Sequence, residues 1–225
     1  MAAVAGMLFV VALVVGQYVA PALVYPVEQV GGLTSSFYVN YEGRLLAEAI
    51  LVGVASMLFL VFLGGLRAFL ARAEGRPPRL APVVAAAGTV ATGLALLQAA
   101  ILAALITLQE NELGVRAQGS AWGARALYYL HGAVGDLALF PFAVFLGAAA
   151  VALLRTGALP RWLGWAGAAF GLLVGVLAVG VVAGLDLGPA GQVVFLLVAA
   201  WVAVLAFSLG WPLPSSTGRA EEALD

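Results

Sequence analysis

Cysteine is missing from this chain of 225 residues, which removes disulfides, thiolate metal sites, iron–sulfur clusters and a Cys nucleophile together. Histidine occurs once, as His131. A site needing two imidazoles from one chain cannot form, so bis-His haem and the H-E-x-x-H zinc helix are excluded, and no metal site is expected. Charge is scarce as well: 9% of the residues are Asp, Glu, Lys or Arg, against about 25% in soluble domains. So few charges cannot cover a water-soluble globule of this size. Lysine is absent, and ten Arg against eleven acids leave a net charge of −1, with no basic surface for nucleic acid. Walker, Rossmann and G-x-S-x-G motifs are lacking too, so the sequence offers neither a catalytic motif nor a cofactor site.

Apolar sequence is what remains: 64% of the residues are hydrophobic. Six runs are long enough for the roughly 20 residues that a helix needs to cross a bilayer. They are Ala3–Tyr25, Leu45–Leu70, Leu80–Leu108, Ala126–Leu154, Leu163–Gly184 and Gln192–Trp211. None shows the period-2 alternation of a barrel strand. The reading is an all-α polytopic membrane protein, a bundle of six transmembrane helices over residues 1–211, followed by a polar tail over 212–225. The first run could be a signal peptide, but it lacks a basic start and is longer than the usual apolar core of a leader; it is read as a retained helix.

Arginine orients the bundle. Arg67, Arg72, Arg76, Arg79, Arg155, Arg161 and Arg219 fall on one side, and Arg44, Arg116 and Arg125 on the other. The positive-inside bias places the larger group, and with it both termini, in the cytoplasm. Trp162, Trp165 and Trp211 then mark the inner interface, and Tyr25, Tyr41, Trp122 and Tyr128 the outer one. The expected location is the plasma membrane, with the lipid bilayer as the principal partner.

Two segments, Phe62-Leu63-Gly64-Gly65-Leu66-Arg67-Ala68-Phe69-Leu70-Ala71-Arg72-Ala73-Glu74-Gly75 and Leu159-Pro160-Arg161-Trp162-Leu163-Gly164-Trp165, resemble small multi-pass membrane proteins, mostly actinobacterial, grouped as a domain of unknown function. The resemblance covers residues 40–185. It implies a helical membrane fold and assigns no activity or site residue.

Gly167, Gly171 and Gly175 recur every four residues in the fifth run. Such spacing lines one helix face and lets another backbone come close. The face could join two copies of the chain or another membrane partner, or pack within the bundle. Ala85, Ala86 and Ala87 of the third run, or Ala199, Ala200 and Ala203 of the sixth, are natural partners.

A second set of residues is polar. Asp136 lies about 15 Å into its run at 1.5 Å per residue. An Asp there costs at least ~2.5–3.5 kcal/mol unless it is paired or faces a cavity. Five residues on, Pro141 frees the carbonyl of Leu137; Pro21 does the same for Gln17. The plainer reading of Asp136 is a protonated acid hydrogen-bonded to a neighbour such as Gln17 or Gln98. Glu48, close to the outer end of its run, could gate a proton path or simply pair with Arg44 four residues earlier. His131, beside Tyr128 and Tyr129, reads as an interfacial hydrogen-bonding residue or a ligand. It lies roughly 140° from Asp136 around the helix, so the two do not form a dyad alone. Depth allows Gln17, Glu48, Gln98, His131 and Asp136 to share an outer-half cavity. The functional expectation is a non-enzymatic accessory or partner-binding bundle. A small proton-coupled transporter using Asp136 is the alternative, and an intramembrane enzyme acting on lipid or quinone comes third.

Overall fold

The computed structural model describes residues 1–19, 35–112, 117–185 and 188–210. Among them run six α-helices and no strand: α1 (Ala2–Val19), α2 (Ser35–Glu74), α3 (Leu80–Glu112), α4 (Ala117–Thr156), α5 (Arg161–Val182) and α6 (Gly188–Gly210). Five of them are long and apolar enough to cross a membrane, and the described apolar stretch of α1, Ala2–Gly16, is shorter. The residues of the first expected span beyond Val19, and the polar tail from Pro212, lie outside the described residues.

The main departure from the sequence reading is at helix ends. The segments Pro26–Arg44 and Gln109–Arg125 read as loops, yet α2 begins at Ser35, α3 continues to Glu112 and α4 begins at Ala117. Hydropathy marks where lipid contact ends, whereas a helix ends where its hydrogen-bond ladder is broken. No proline interrupts 35–45 or 117–125, so the ladder carries on past the apolar span. The apolar stretches inside the long helices, Gly43–Glu74 and Ala126–Thr156, stay close to the expected spans.

Neighbouring helices run antiparallel, and α1 packs against α6 to close the ring. A Cβ placed on Gly6 would meet the Ala206 side chain, and one on Gly210 would meet Ala3. The start of α1 therefore sits beside the end of α6. The α2–α3 and α4–α5 turns lie at that same end, called here the turn end. Both turns use a glycine in the left-handed region, Gly75 (φ 77°) and Gly157 (φ 61°), where a Cβ would clash with the backbone.

The first turn also carries a cap that the sequence did not announce. Glu74, the last residue of α2, reaches across Gly75 so that its Oε2 accepts the backbone N–H of Arg79 (2.7 Å), Leu80 (3.0 Å) and Ala81 (3.5 Å). The next residue, Pro82, has no N–H to satisfy. The free donors at the start of α3 are thus met by one carboxylate from the preceding helix, with the negative charge at the positive helix end.

The core is aromatic where α1, α2 and α4 meet. Phe59 contacts Phe9 (4.8 Å between centroids), Phe62 (5.9 Å) and Phe145 (5.3 Å), and Phe142 stacks on Phe145 at 5.6 Å. Outside the bundle the surface is apolar as well: Leu172 is 72% exposed, Val176 61% and Val179 60%. An apolar skin of this kind suits lipid and would be a liability in water.

The glycines of α5 face α4. A Cβ on Gly171 would lie 2.9 Å from Gly147 N and 3.3 Å from the Ala143 carbonyl oxygen, backbone against backbone. Gly175 faces Ala143, and Gly167 faces Ala150 and the Trp201 ring. This corrects the expected partners. The alanines of the third helix are not involved, and the sixth contributes Trp201, whose indole N–H donates to the Leu163 carbonyl at 2.9 Å. The turn 157–160 is short, so α4 and α5 form a hairpin and the small residues of each meet the other. The close-approach face is occupied within the chain.

Candidate functional site: a polar cavity between three helices

Beyond the phenylalanine cluster, away from the turn end, the bundle opens into a cavity of about 350 Å³. Leu45 and Glu48 of α2, Leu102 and Leu105 of α3, and Tyr128, Tyr129, His131, Gly132, Ala133 and Asp136 of α4 line it. Tyr128, Gly132 and Asp136 recur every four residues and so run as a stripe along one face of α4. Gly132 supplies the space: a Cβ added there would meet no atom within 4 Å.

His131 and Gly135, again four apart, lie on the adjoining face and meet Gln98 of α3. His131 Nδ1 lies 3.1 Å from the Gln98 carbonyl oxygen, and Nε2 lies 3.4 Å from the Gln98 side-chain Nε2. A carbonyl only accepts, so Nδ1 carries the proton and donates it; Nε2 of the neutral ring is then free to accept from the amide N–H₂. The amide fits because Gly135 has no side chain: a Cβ there would fall 2.6 Å from Gln98 Nε2. Gln98, expected as a hydrogen-bond partner of Asp136, is engaged by His131 instead.

One oxygen of Glu48, Oε2, is buried and has no hydrogen-bond partner. A buried acceptor left unsatisfied costs about 1–3 kcal/mol, and more if charged. Glu48 itself is among the residues that line the cavity.

Three of the five polar residues singled out from the sequence therefore share one cavity: Glu48, His131 and Asp136. Gln98 stands behind His131 rather than in the wall. The side chain of Gln17 lies outside the described residues. The roughly 140° between His131 and Asp136 does not separate them, because the cavity wraps more than one face of α4. Sequence reasoning treated Tyr128 as a belt residue and passed over Gly132 and Gly135; the fourfold spacing of 128, 132 and 136 was the available signal. Among the described residues, no group of three or more His, Asp or Glu side chains converges tightly enough to hold a metal ion. Comparison with family models, curated proteins and solved structures gives no match to this chain.

Proposed function

We propose that this chain is a multi-pass protein of the plasma membrane, with the turn end and both termini in the cytoplasm, and that it is a non-enzymatic bundle which binds a small ligand in the cavity between α2, α3 and α4. The observation that carries this reading is the buried, unpartnered Glu48 Oε2 in the wall of a cavity that also holds Asp136 and His131. Within a membrane such groups are costly, and they mark ligand or ion pathways by default. The positive-inside bias of the arginines supports the orientation, and it puts the cavity in the outer half of the bilayer.

The absence of cysteine makes a direct test available. Ala133→Cys places a single thiol in the cavity wall. A charged, membrane-impermeant thiol reagent added outside intact cells should label it readily, whereas Val54→Cys, at an exposed apolar position of α2, should stay unlabelled. Gly132→Leu fills the cavity, and combined with Ala133→Cys it should block the reaction. Labelling of the Ala133→Cys variant no faster than the Val54→Cys variant would remove the cavity as a binding site.

Asp136 in the same wall favours one further reading, proton-coupled transport. It predicts proton flux in reconstituted vesicles that Asp136→Asn abolishes.

A further inference from the structure

We infer that the cavity takes an organic cation, a primary ammonium carried on a small apolar body. The inference rests on the binding reading above and adds the chemistry of the ligand.

The lining is acidic and apolar at once. Among the described residues, Glu48 and Asp136 are its formally charged groups, and no Arg is in the lining. An anion would meet two carboxylates. A neutral alcohol could donate one hydrogen bond to a carboxyl group and would leave the acids uncompensated. An ammonium has three donors and a positive charge, and hydrogen bonds between ionised groups are about twice as strong as neutral ones. A bare metal ion is disfavoured by the geometry, since the carboxylates and the imidazole do not converge on one point. The volume points the same way: about 350 Å³ is far more than an ion needs, and falls at the small end of the range for organic ligands.

The walls suit the rest of such a molecule. Leu45, Leu102 and Leu105 offer apolar contact, and Tyr128 and Tyr129 present rings to which a nearby cation is attracted. Gly132 and Ala133 are exposed at the surface of α4, so the cavity has a mouth. His131 is held by Gln98 through both ring nitrogens; in that arrangement it adds a neutral polar wall rather than a competing positive charge.

The test is ligand-dependent melting of the purified full chain in a non-ionic detergent, with hexylammonium, hexanol and hexanoate as probes of one chain length. Hexylammonium should raise the melting temperature saturably, while hexanol and hexanoate should not. Glu48→Gln and Asp136→Asn should each weaken the apparent affinity for hexylammonium about tenfold. Gly132→Leu should abolish the shift while melting at or above the parent, because it adds no clash at Cβ. An equal shift from hexanol would overturn the cationic ligand and leave the binding reading in place. A hexylammonium shift that survives Gly132→Leu, or no shift from any probe in a protein whose Ala133→Cys variant labels, would also overturn it. If Ala133→Cys fails to label as well, the binding reading falls with it. Once hexylammonium binding is established, lipid nanodiscs identify the source of the ammonium. Competition by phosphatidylethanolamine but not phosphatidylcholine makes it a lipid headgroup, and no competition makes it a free amine; both agree with the inference.

Discussion

Alanine at Gly171 and at Gly175 should have opposite consequences, although the two positions lie one turn apart on the same stripe of α5. Both substitutions gain the same intrinsic preference for helix, about 1 kcal/mol, so the difference between them isolates the contact with α4. At Gly175 the new methyl would lie 3.7 Å from the Ala143 Cβ, an ordinary van der Waals distance. At Gly171 it would lie 2.9 Å from Gly147 N and 3.2 Å from Gly147 Cα. Those are backbone atoms of a packed helix and no side chain can rotate away. Restoring contacts of ~3.5–4 Å requires α4 and α5 to separate by roughly 0.5–1 Å. Overpacking of this kind costs about 1–3 kcal/mol, and separation would also disturb the neighbouring Trp201 contact with Gly167. We therefore expect Gly175→Ala to match or exceed the parent, and Gly171→Ala to fall below Gly175→Ala by about 1–3 kcal/mol. At ~2–4 °C per kcal/mol for a chain of this length, the gap is readable by circular dichroism or intrinsic tryptophan fluorescence in detergent. Gly171→Leu should lose more. If Gly171→Ala melted with or above Gly175→Ala, the close approach of α4 and α5 would be wrong.

Two further tests address the Glu74 cap and the orientation of the bundle. Glu74→Ala removes the acceptor for the first N–H groups of α3 and should cost about 1–2 kcal/mol, with Glu74→Gln losing less because it retains a carbonyl; equal melting of the parent and Glu74→Ala would show that the cap contributes nothing. Single cysteines replacing Arg76 and Gln118 should be labelled by an impermeant thiol reagent only from the cytoplasmic side and only from the outside, respectively, and the reverse pattern would overturn the proposed orientation.

The helical class was legible because it depends on composition alone: no other arrangement buries the backbone of such long apolar runs in lipid. The apolar stretches of α2 to α6 were legible to within a few residues for the same reason. Helix ends were not, since 35–43 is polar enough to read as a loop while containing no proline. Depth along the chain allowed five polar residues in one outer-half cavity, and Glu48, His131 and Asp136 of them line it. Facing was beyond reach. That Gln98 would meet His131, and not Asp136, depends on the rotation of α3 about its axis, which the all-round apolar sequence of that helix does not encode. The partner of the glycine stripe was missed for a related reason: alanines are spread through every helix, and only the short turn 157–160 indicates which of them comes nearest.

The contact between α1 and α6 also has a meaning in time. Ribosomal synthesis delivers α1 first and α6 last, so the groove beside Gly6 waits through the insertion of four intervening helices before Ala206 arrives to fill it. Until then α1 packs against α2, through Phe9 on Phe59 and the packing of Gly65 against Ala2. A nascent chain stalled before residue 206 would present that face of α1 uncovered.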